Sequence, residues 1–431
     1  MKKLIPQSIK NIYHLFQAIL ANFIYGSPSL SLKVIGVTGT NGKTTTCQMV
    51  AKILEEAGHR VAMASTINFK LGQREWVNAT KFTTLSPFAV QKFLKQAVEA
   101  NCEYVVLETS SHSLDQYRVW GIRYLVAAIT NVTREHLDYH KTMEKYRQAK
   151  LKLFKKAEIA VVNLDMESPE DFLQYDNKEK FGYGTKNTNH KIQDTKKSQI
   201  SNLKSQNIFA ENVELGINGS SFSVDGQDFK LNLAGAFNIE NALAAAVVGL
   251  SQGISLEQSA TALEKITGVP GRLEHIPNNK GIEMMIDYAV TPDSLEKLYA
   301  YLTSVKKEGS RIIAVFGSCG ERDRGKRPIM GEIVSRYADF VIITNEDPYG
   351  EDPMQIIREV AKGVKDKEKD KNFWKILDRR KAITKALSLA KPNDIVIVTG
   401  KGAEETMATS AHERIPWNDK KVILEELEKM K

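Results

Sequence analysis

The sequence predicts an α/β protein: a P-loop ATPase-like parallel-sheet domain followed by a second α/β domain. Three observations carry this. Short apolar runs alternate with helix-like segments from Lys33 onward, the pattern of a doubly wound parallel sheet. The first of these runs ends in a glycine-rich turn followed by Lys-Thr-Thr. A second series of apolar runs begins after Gly268-Val269-Pro270-Gly271-Arg272.

The elements follow in chain order. Near the N-terminus, after two lysines, Ile9, Ile12, Leu15, Phe16, Ile19, Leu20 and Phe23 recur at helical spacing, interrupted by Asn11, His14, Gln17 and Asn22. No small-residue cleavage site follows. The expectation is a helix packed on its own domain, in preference to a membrane surface or a partner.

From Val34 a strand leads into Gly39-Thr40-Asn41-Gly42-Lys43-Thr44-Thr45-Thr46, after which Met49, Val50, Ile53 and Leu54 keep helical spacing. That order builds a phosphate cradle, because N–H groups of the turn and the helix N-terminus point at an anion. Lys43 can reach the terminal phosphates of a nucleotide, and the Thr44 hydroxyl can ligate its Mg²⁺. Val37 stands where the usual P-loop has glycine, so the pattern is met approximately.

Further strands are expected at 104–107, 125–129 and 159–162, with a helix at 87–100. Residues 165–230 turn polar and rich in Lys, Asn and Gln, then alternate at Ser221-Phe222-Ser223-Val224, which reads as an insertion with small antiparallel strands. An alanine-rich helical pattern occupies 234–253. Past the boundary, strands are expected at 284–287, 312–316, 340–344 and 395–399, with helices at 294–305 and 354–362. The domains expected are a helical segment 1–32, an ATP-binding domain 33–270 and a C-terminal domain 271–431.

Composition narrows the class. A chain of 431 residues exceeds one ordinary core. Its net charge of +8 is modest, and much of it sits in polar stretches such as 178–204, which suits solvated surface better than a nucleic-acid groove. Cys47, Cys102 and Cys319 have no metal-like spacing, as expected of reduced thiols in a cytosol. No run of eighteen apolar residues occurs, so no membrane span is predicted. The expectation is a cytoplasmic, monomeric enzyme acting on small molecules.

Two further residues bear chemistry. Glu108 closes a strand, and His136 follows another in Thr130-Asn131-Val132-Thr133-Arg134-Glu135-His136. Open parallel sheets bind ligands at such strand ends, where a carboxylate and an imidazole could hold Mg²⁺ and a transferring phosphoryl group. Each alone also has an ordinary reading, as a helix N-terminal acid or a surface histidine.

The P-loop stretch, Glu108-Thr109-Ser110-Ser111-His112, Thr130-Asn131 with His136-Leu137-Asp138, Tyr146-Arg147-Gln148-Ala149-Lys150 and Asn238-Ile239-Glu240-Asn241 together resemble the Mur ligases. Five further features are similar to those family members that add a diamino acid to UDP-N-acetylmuramoyl dipeptide. They are Asp138-Tyr139-His140, Gly271-Arg272-Leu273-Glu274, Asp287-Tyr288-Ala289, Phe316-Gly317-Ser318-Cys319-Gly320 with Arg322 to Pro328, and Gly400-Lys401-Gly402. The resemblance spans about residues 33–425.

The resemblance implies a C-terminal Rossmann-like α/β ligase domain and an ATP-dependent amide ligation through an acyl phosphate. It assigns ATP to Gly39, Thr40, Asn41, Gly42, Lys43, Thr44, Thr45, Asn238, Asn241, Arg272, Asp287 and Lys326. Two Mg²⁺ ions would be ordered by Thr44, Glu108, His136 and Lys150, the last as a carbamate. Lys43, Glu108, His136 and Lys150 would be the catalytic set. The muramoyl substrate would meet Thr83, Thr84, Ser110, Gln116 and Arg118. The amino acid would meet Arg322, Asp347, Pro348, Glu351, Gly400 and Glu404. His112 has no assigned role.

Four departures qualify this. Only about 32 residues precede the P-loop strand, where the family carries a uridine-nucleotide-binding domain, so uridine recognition is expected to be weaker, supplied by another chain or unnecessary. Tyr349 replaces the arginine that clamps the distal carboxylate of diaminopimelate, so lysine or a similar amine is favoured, with Glu351 and Glu404 free to meet its ammonium. Val290 and Ala403 each replace a frequent histidine. The alternatives are a folylpolyglutamate-type ligase on another carboxylate, a P-loop switch, and a silent nucleotide-binding subunit.

Overall fold

A computed structural model describes residues 6–78, 80, 82–185 and 207–430. Its first sheet collects β1 (Lys33–Thr38), β2 (Val61–Ala64), β3 (Asn68–Leu71), β4 (Arg74–Val77), β5 (Tyr104–Glu108), β6 (Tyr124–Ile129), β7 (Ile159–Asn163), β8 (Glu179–Thr185), β9 (Asn207–Gly216), β10 (Gly219–Val224) and β11 (Gln227–Leu231). The order across it is β11-β10-β9-β8-β7-β6-β1-β5-β2-β3-β4. The strands from β9 to β2 in that order pair in parallel, and antiparallel hairpins extend both edges.

Alternation along the strands explains why both faces are covered. Ile35, Val37, Val106, Val126 and Ala128 enter one core, whereas Val34, Val105, Leu107, Ala127 and Ile129 enter the other. Strands buried on both sides read as continuous apolar runs, which is why the sequence shows them clearly. The helix Ala236–Leu250 packs its alanines beside the P-loop helix Lys43–Glu56 in the first of these cores. Small side chains let the two helices approach closely.

A second sheet holds β12 (Glu274–Ile276), β13 (Glu283–Asp287), β14 (Ile312–Phe316), β15 (Phe340–Thr344), β16 (Phe373–Ile376) and β17 (Ile395–Thr399), in the order β12-β13-β17-β14-β15-β16. All its pairings but β12–β13 are parallel. The α/β class expected from the sequence is therefore present in both halves.

Two elements differ from expectation. The small antiparallel strands expected near Ser221–Val224 are present, β10 pairing antiparallel with β9 and β11, but the stretch around 165–230 also supplies β8 and β9, which join the main sheet in parallel. Its Lys- and Asn-rich part at 186–206 lies outside the described residues.

The N-terminal helix Gln7–Ile24 is present and packs on its own domain, but through its small residues, with most of its apolar stripe left outward. Ala18 and Ala21 are the buried positions, while Ile9, Ile12, Tyr13, Phe16, Ile19, Leu20, Phe23 and Ile24 are exposed. Small residues allow close approach to the helix Pro87–Glu99. The Asn11 amide donates to the Asp115 carboxylate and carbonyl, both at 3.2 Å, which fixes that orientation. Among the described residues no helix is long and apolar enough to cross a membrane.

Candidate active site

The P-loop runs from the C-terminal end of β1 into the helix beginning at Lys43. Its backbone path depends on glycine at two points. Gly42 has φ +84°, and a Cβ there would sit 2.2 Å from Asn241 Oδ1. A Cβ on Gly39 would lie 1.9 Å from Thr130 Oγ1. The loop is held from the neighbouring strand end: Thr130 Oγ1 donates to the Asn41 carbonyl at 2.6 Å, and the Asn41 N–H donates to Asn131 Oδ1 at 2.9 Å. Thr40 Oγ1 lies 3.1 Å from the Tyr146 hydroxyl. Thr45 is buried in the first turn of the helix.

Glu108 ends β5 and is buried. Thr44 Oγ1 donates to its Oε2 at 3.0 Å, and Thr66 donates to both carboxylate oxygens, N–H to Oε2 at 2.7 Å and hydroxyl to Oε1 at 2.9 Å. Thr66 is thus a positioning residue that the sequence reading missed. Arg272, from beyond the boundary, reaches Thr44 Oγ1 with Nη2 at 3.2 Å and lies 4.4 Å over the Tyr288 ring. The two sheets therefore meet at the P-loop threonine.

Lys43 donates to the Thr40 carbonyl at 2.8 Å, and burial pulls its ammonium below the ordinary range. Lys150, 1% exposed, lies under the loop and donates to the Gly39 carbonyl at 2.7 Å. Burial, with Lys43 nearby, drives its pKa well below the ordinary lysine value, so the neutral amine is favoured. His136 follows β6 with φ +58° and stands edge-on to His112, ring centroids 4.6 Å apart. Burial first, then His112, Lys43 and Lys150, hold the imidazole well below its usual pKa, leaving a lone pair for a cation.

A cleft of about 320 Å³ opens between the sheets. It is lined by Thr40 to Thr45, Thr83, Glu108, His136, Asn238, Asn241, Arg272, Asp287, Arg322, Lys326, Asp347, Gly400 and Glu404, among others. Most candidates from the sequence therefore share one space, although several are engaged within the fold. Asn238 Nδ2 donates to the Ala234 carbonyl at 2.8 Å, and Asn241 donates to Asn238 Oδ1 at 3.1 Å while accepting from Thr46 at 3.3 Å. The Asp287 carboxylate accepts the N–H groups of Leu273 and Ala289, each at 2.7 Å, fastening the Gly271–Leu273 turn to β13. Lys326 meets Glu135, another residue the sequence reading passed over although it adjoins His136.

The set expected to meet the muramoyl substrate is partly assembled. Thr84 Oγ1 donates to the Glu108 carbonyl at 2.9 Å and accepts the Ser110 N–H at 2.9 Å, and Arg118 Nη1 donates to the Thr84 carbonyl at 2.7 Å. Arg118 Nε is buried with no hydrogen-bond partner among the described residues. Gln116, half-buried after the short helix Ser111–Asp115, does not line the cleft.

The amine-side expectation needs correction. Glu351 is not free: Arg327 binds it with Nη1 to Oε2 at 2.9 Å and Nη2 to Oε1 at 3.0 Å, and it does not line the cleft. Glu404 is engaged too, by Lys401 and by the Tyr288 hydroxyl at 3.3 Å. Lys401 also donates to Asp347 at 2.7 Å. Pro348 serves the loop, its carbonyl lying where a Cβ on Gly320 would be, at 1.9 Å.

A carboxylate with capacity left is Glu346, just before Asp347, which the sequence reading did not single out. It is 2% exposed, accepts from Cys319 Sγ at 3.0 Å on Oε1, and its Oε2 has no partner among the described residues. Burial raises its pKa. Gly400 abuts that oxygen, since a Cβ there would come within 2.1 Å of it. Arg322, exposed, lies 6.0 Å from the Tyr349 ring centroid.

The family model for the Mur ligase middle domain matches residues 37–249, and that for the Mur ligase glutamate ligase domain matches 271–402. The chain is 38% identical over 419 residues to a UDP-N-acetylmuramoyl-L-alanyl-D-glutamate–2,6-diaminopimelate ligase of Clostridium tetani, covering 96% of this chain and 81% of the relative. It is 37% identical over 421 residues to a UDP-N-acetylmuramyl-tripeptide synthetase of Roseiflexus, covering 93% of this chain and 80% of the relative. Among solved structures, a 2,6-diaminopimelate ligase superposes with a TM-score of 0.60 at 29% identity, covering 92% of this chain and 78% of that one. A Mycobacterium tuberculosis folylpolyglutamate synthase superposes at 0.69 with 18% identity, covering 90% and 91%, a likeness of fold alone. The chain belongs to the Mur ligase family, whose members are ATP-dependent, ADP-forming amide ligases.

Proposed function

We propose that this chain adds the third amino acid, a diamino acid, to UDP-N-acetylmuramoyl-L-Ala-D-Glu in peptidoglycan precursor synthesis. The observation that carries the reading is Lys150. A lysine amine buried against the Gly39 carbonyl beneath the phosphate loop, its pKa held well below the ordinary lysine value by burial, suits carbamate formation, which a simple nucleotide switch does not need.

In the proposed reaction a substrate carboxylate oxygen attacks the γ-phosphorus of ATP. The P–O bond to the β-phosphate breaks, giving an acyl phosphate and ADP. The incoming amine then attacks the acyl carbon, loses a proton and expels inorganic phosphate. Lys43, Arg272 and the loop N–H groups neutralise the moving charge; each well-placed donor is worth ~3 kcal/mol of barrier. The oxygen donors of Thr44 and Glu108 with a neutral His136 fit Mg²⁺ bound chiefly through nucleotide phosphates, and carbamylated Lys150 would complete a second site. Bound Mg²⁺ would supply charge stabilisation at the phosphates.

For the amine, lysine or a close analogue is favoured over meso-diaminopimelate. Tyr349 offers no guanidinium to a distal carboxylate, and Glu346 Oε2 leaves an acceptor for an ammonium. Both curated relatives above point to the same step, and the diaminopimelate name of one makes the amine the quantity to measure.

The test is phosphate release from ATP with the UDP-muramoyl dipeptide and lysine, diaminopimelate or ornithine supplied separately. Release that requires both dipeptide and amine is expected. Release without the dipeptide would favour a switch, and release with a folate-type acceptor in its place would favour the other carboxylate.

A further inference from the structure

Cys47 and Cys102 are buried in the two cores of the first domain, whereas Cys319 lines the cleft. It follows the C-terminal end of β14, opposite the residues that follow β15. Its thiol donates to Glu346 Oε1 at 3.0 Å. The rest of that carboxylate is closely walled. A Cβ on Gly317 would come within 2.9 Å of Glu346 Cβ, and one on Gly400 within 2.1 Å of Oε2. Glu346 is thus held between two glycines and one thiol, with Oε2 unpartnered among the described residues. Ser318, 3% exposed and on the same wall of the cleft, also has an unpartnered hydroxyl there.

The choice of a thiol has a consequence for charge. A glutamate carboxylate turns easily about its last torsion, so one oxygen must be fastened if the other is to keep a direction. A lysine or arginine in that place would fasten it and also neutralise it. The thiol is a single, uncharged donor, and burial with Glu346 beside it keeps its proton on. The nearby cations are spoken for: Arg379 binds Asp419 at 2.8 and 2.6 Å, and Lys401 binds Asp347 at 2.7 Å. Glu346 therefore keeps an oriented oxygen for a cation entering the cleft. A compact ammonium with three donors suits that oxygen and the Ser318 hydroxyl together.

We infer that Cys319 is a positioning residue for amine selection. Its thiol aims Glu346 so that Oε2, with the Ser318 hydroxyl, receives the ammonium of the diamino acid that does not react. The inference rests on the ligase reading and deepens it, adding the residue that orients the acceptor.

The experiment is initial-rate ligation by the full chain, Cys319→Ala, Cys319→Ser and Glu346→Gln. The diamino acid that the parent uses best is varied at saturating ATP, and ATP is varied at saturating amine. Norleucine, a chain without the second ammonium, is the competing amine, and thermal unfolding reports on folding. Cys319→Ala should raise KM for the diamino acid about fivefold, as expected for one hydrogen bond to a charged group. KM for ATP should stay within about twofold, and the preference over norleucine should fall by about the same fivefold factor. Cys319→Ser, which keeps a donor, should recover most of that loss, while Glu346→Gln should exceed it. Amine KM unchanged in Cys319→Ala, a rise shared equally by ATP, or no recovery in a folded Cys319→Ser would each overturn the inference while leaving the ligase reading intact. A parent that releases phosphate with no amine would instead sink the ligase reading, and this inference with it.

Discussion

Lys326 and Glu135 form a buried ion pair across the cleft, Nζ to Oε1 at 3.1 Å, with the side chains 6% and 10% exposed. Glu135 belongs to the loop after β6, and Lys326 begins the helix Lys326–Tyr337 of the second sheet. Lys326 also donates to the Val290 carbonyl at 2.8 Å. The pair joins the two halves beside the P-loop.

Breaking it from one side strands a charge. Lys326→Met should destabilise the ligand-free protein by ~3 kcal/mol, because Glu135 stays buried without its partner. Combining Lys326→Met with Glu135→Gln should recover most of that loss. Urea unfolding of the two variants and the parent checks it; equal losses in both variants would exclude the pair as the cause.

Lys150→Ala should lower ligation ~10³-fold by removing the carbamate anion. Added formate or acetate should then restore part of the rate, and depletion of bicarbonate should slow the parent enzyme. A variant that neither short acid rescues would assign Lys150 to support of the Gly39 carbonyl alone.

Arg272→Lys keeps the charge but not the planar fork that spans the Thr44 hydroxyl and the Tyr288 ring. The expected result is a KM for ATP raised about tenfold, with Arg272→Ala about a hundredfold, following a loss of ~1.4 kcal/mol per decade. Initial-rate kinetics over a range of ATP concentration measures both.

Tyr349→Arg should move amine preference toward diaminopimelate. A guanidinium beside Arg322 gives a distal carboxylate a bidentate partner, so the ratio of kcat/KM for diaminopimelate over lysine should rise about tenfold or more. Competition between the two amines in one reaction reads the ratio directly.

His140 sets a limit at acid pH. Burial, offset in part by Asp115, lowers its pKa from 6.5 to about 4, and its Nε2 lies 3.0 Å from Ser111 Oγ. The unfolded chain therefore takes up this proton at a higher pH than the folded one. Its contribution is fully present above about pH 6.5 and is lost as pH falls toward about 4. His140→Gln should flatten the fall of Tm over that window.

Much of this protein is written locally. The strands at 312–316, 340–344 and 395–399 appear where their apolar runs stand, because a parallel strand buried on both faces must be apolar throughout. The P-loop was equally legible, since its chemistry needs backbone N–H groups and glycines adjacent in sequence. Lys150, Arg272 and Lys326 could be named through motifs, but not their partners.

What the tertiary structure decided are relations between distant segments. Thr66 bonding Glu108, Arg327 occupying Glu351 and Lys326 meeting Glu135 each join residues from separate elements, and side-chain pairing across a fold leaves no periodic trace in the chain. The N-terminal helix shows the same division. Its apolar period was plain, yet which side faces the protein depends on the close approach of Ala18 and Ala21 and on the Asn11–Asp115 bond. Sequence determines that a helix has two faces; only the surface it meets determines which one is buried.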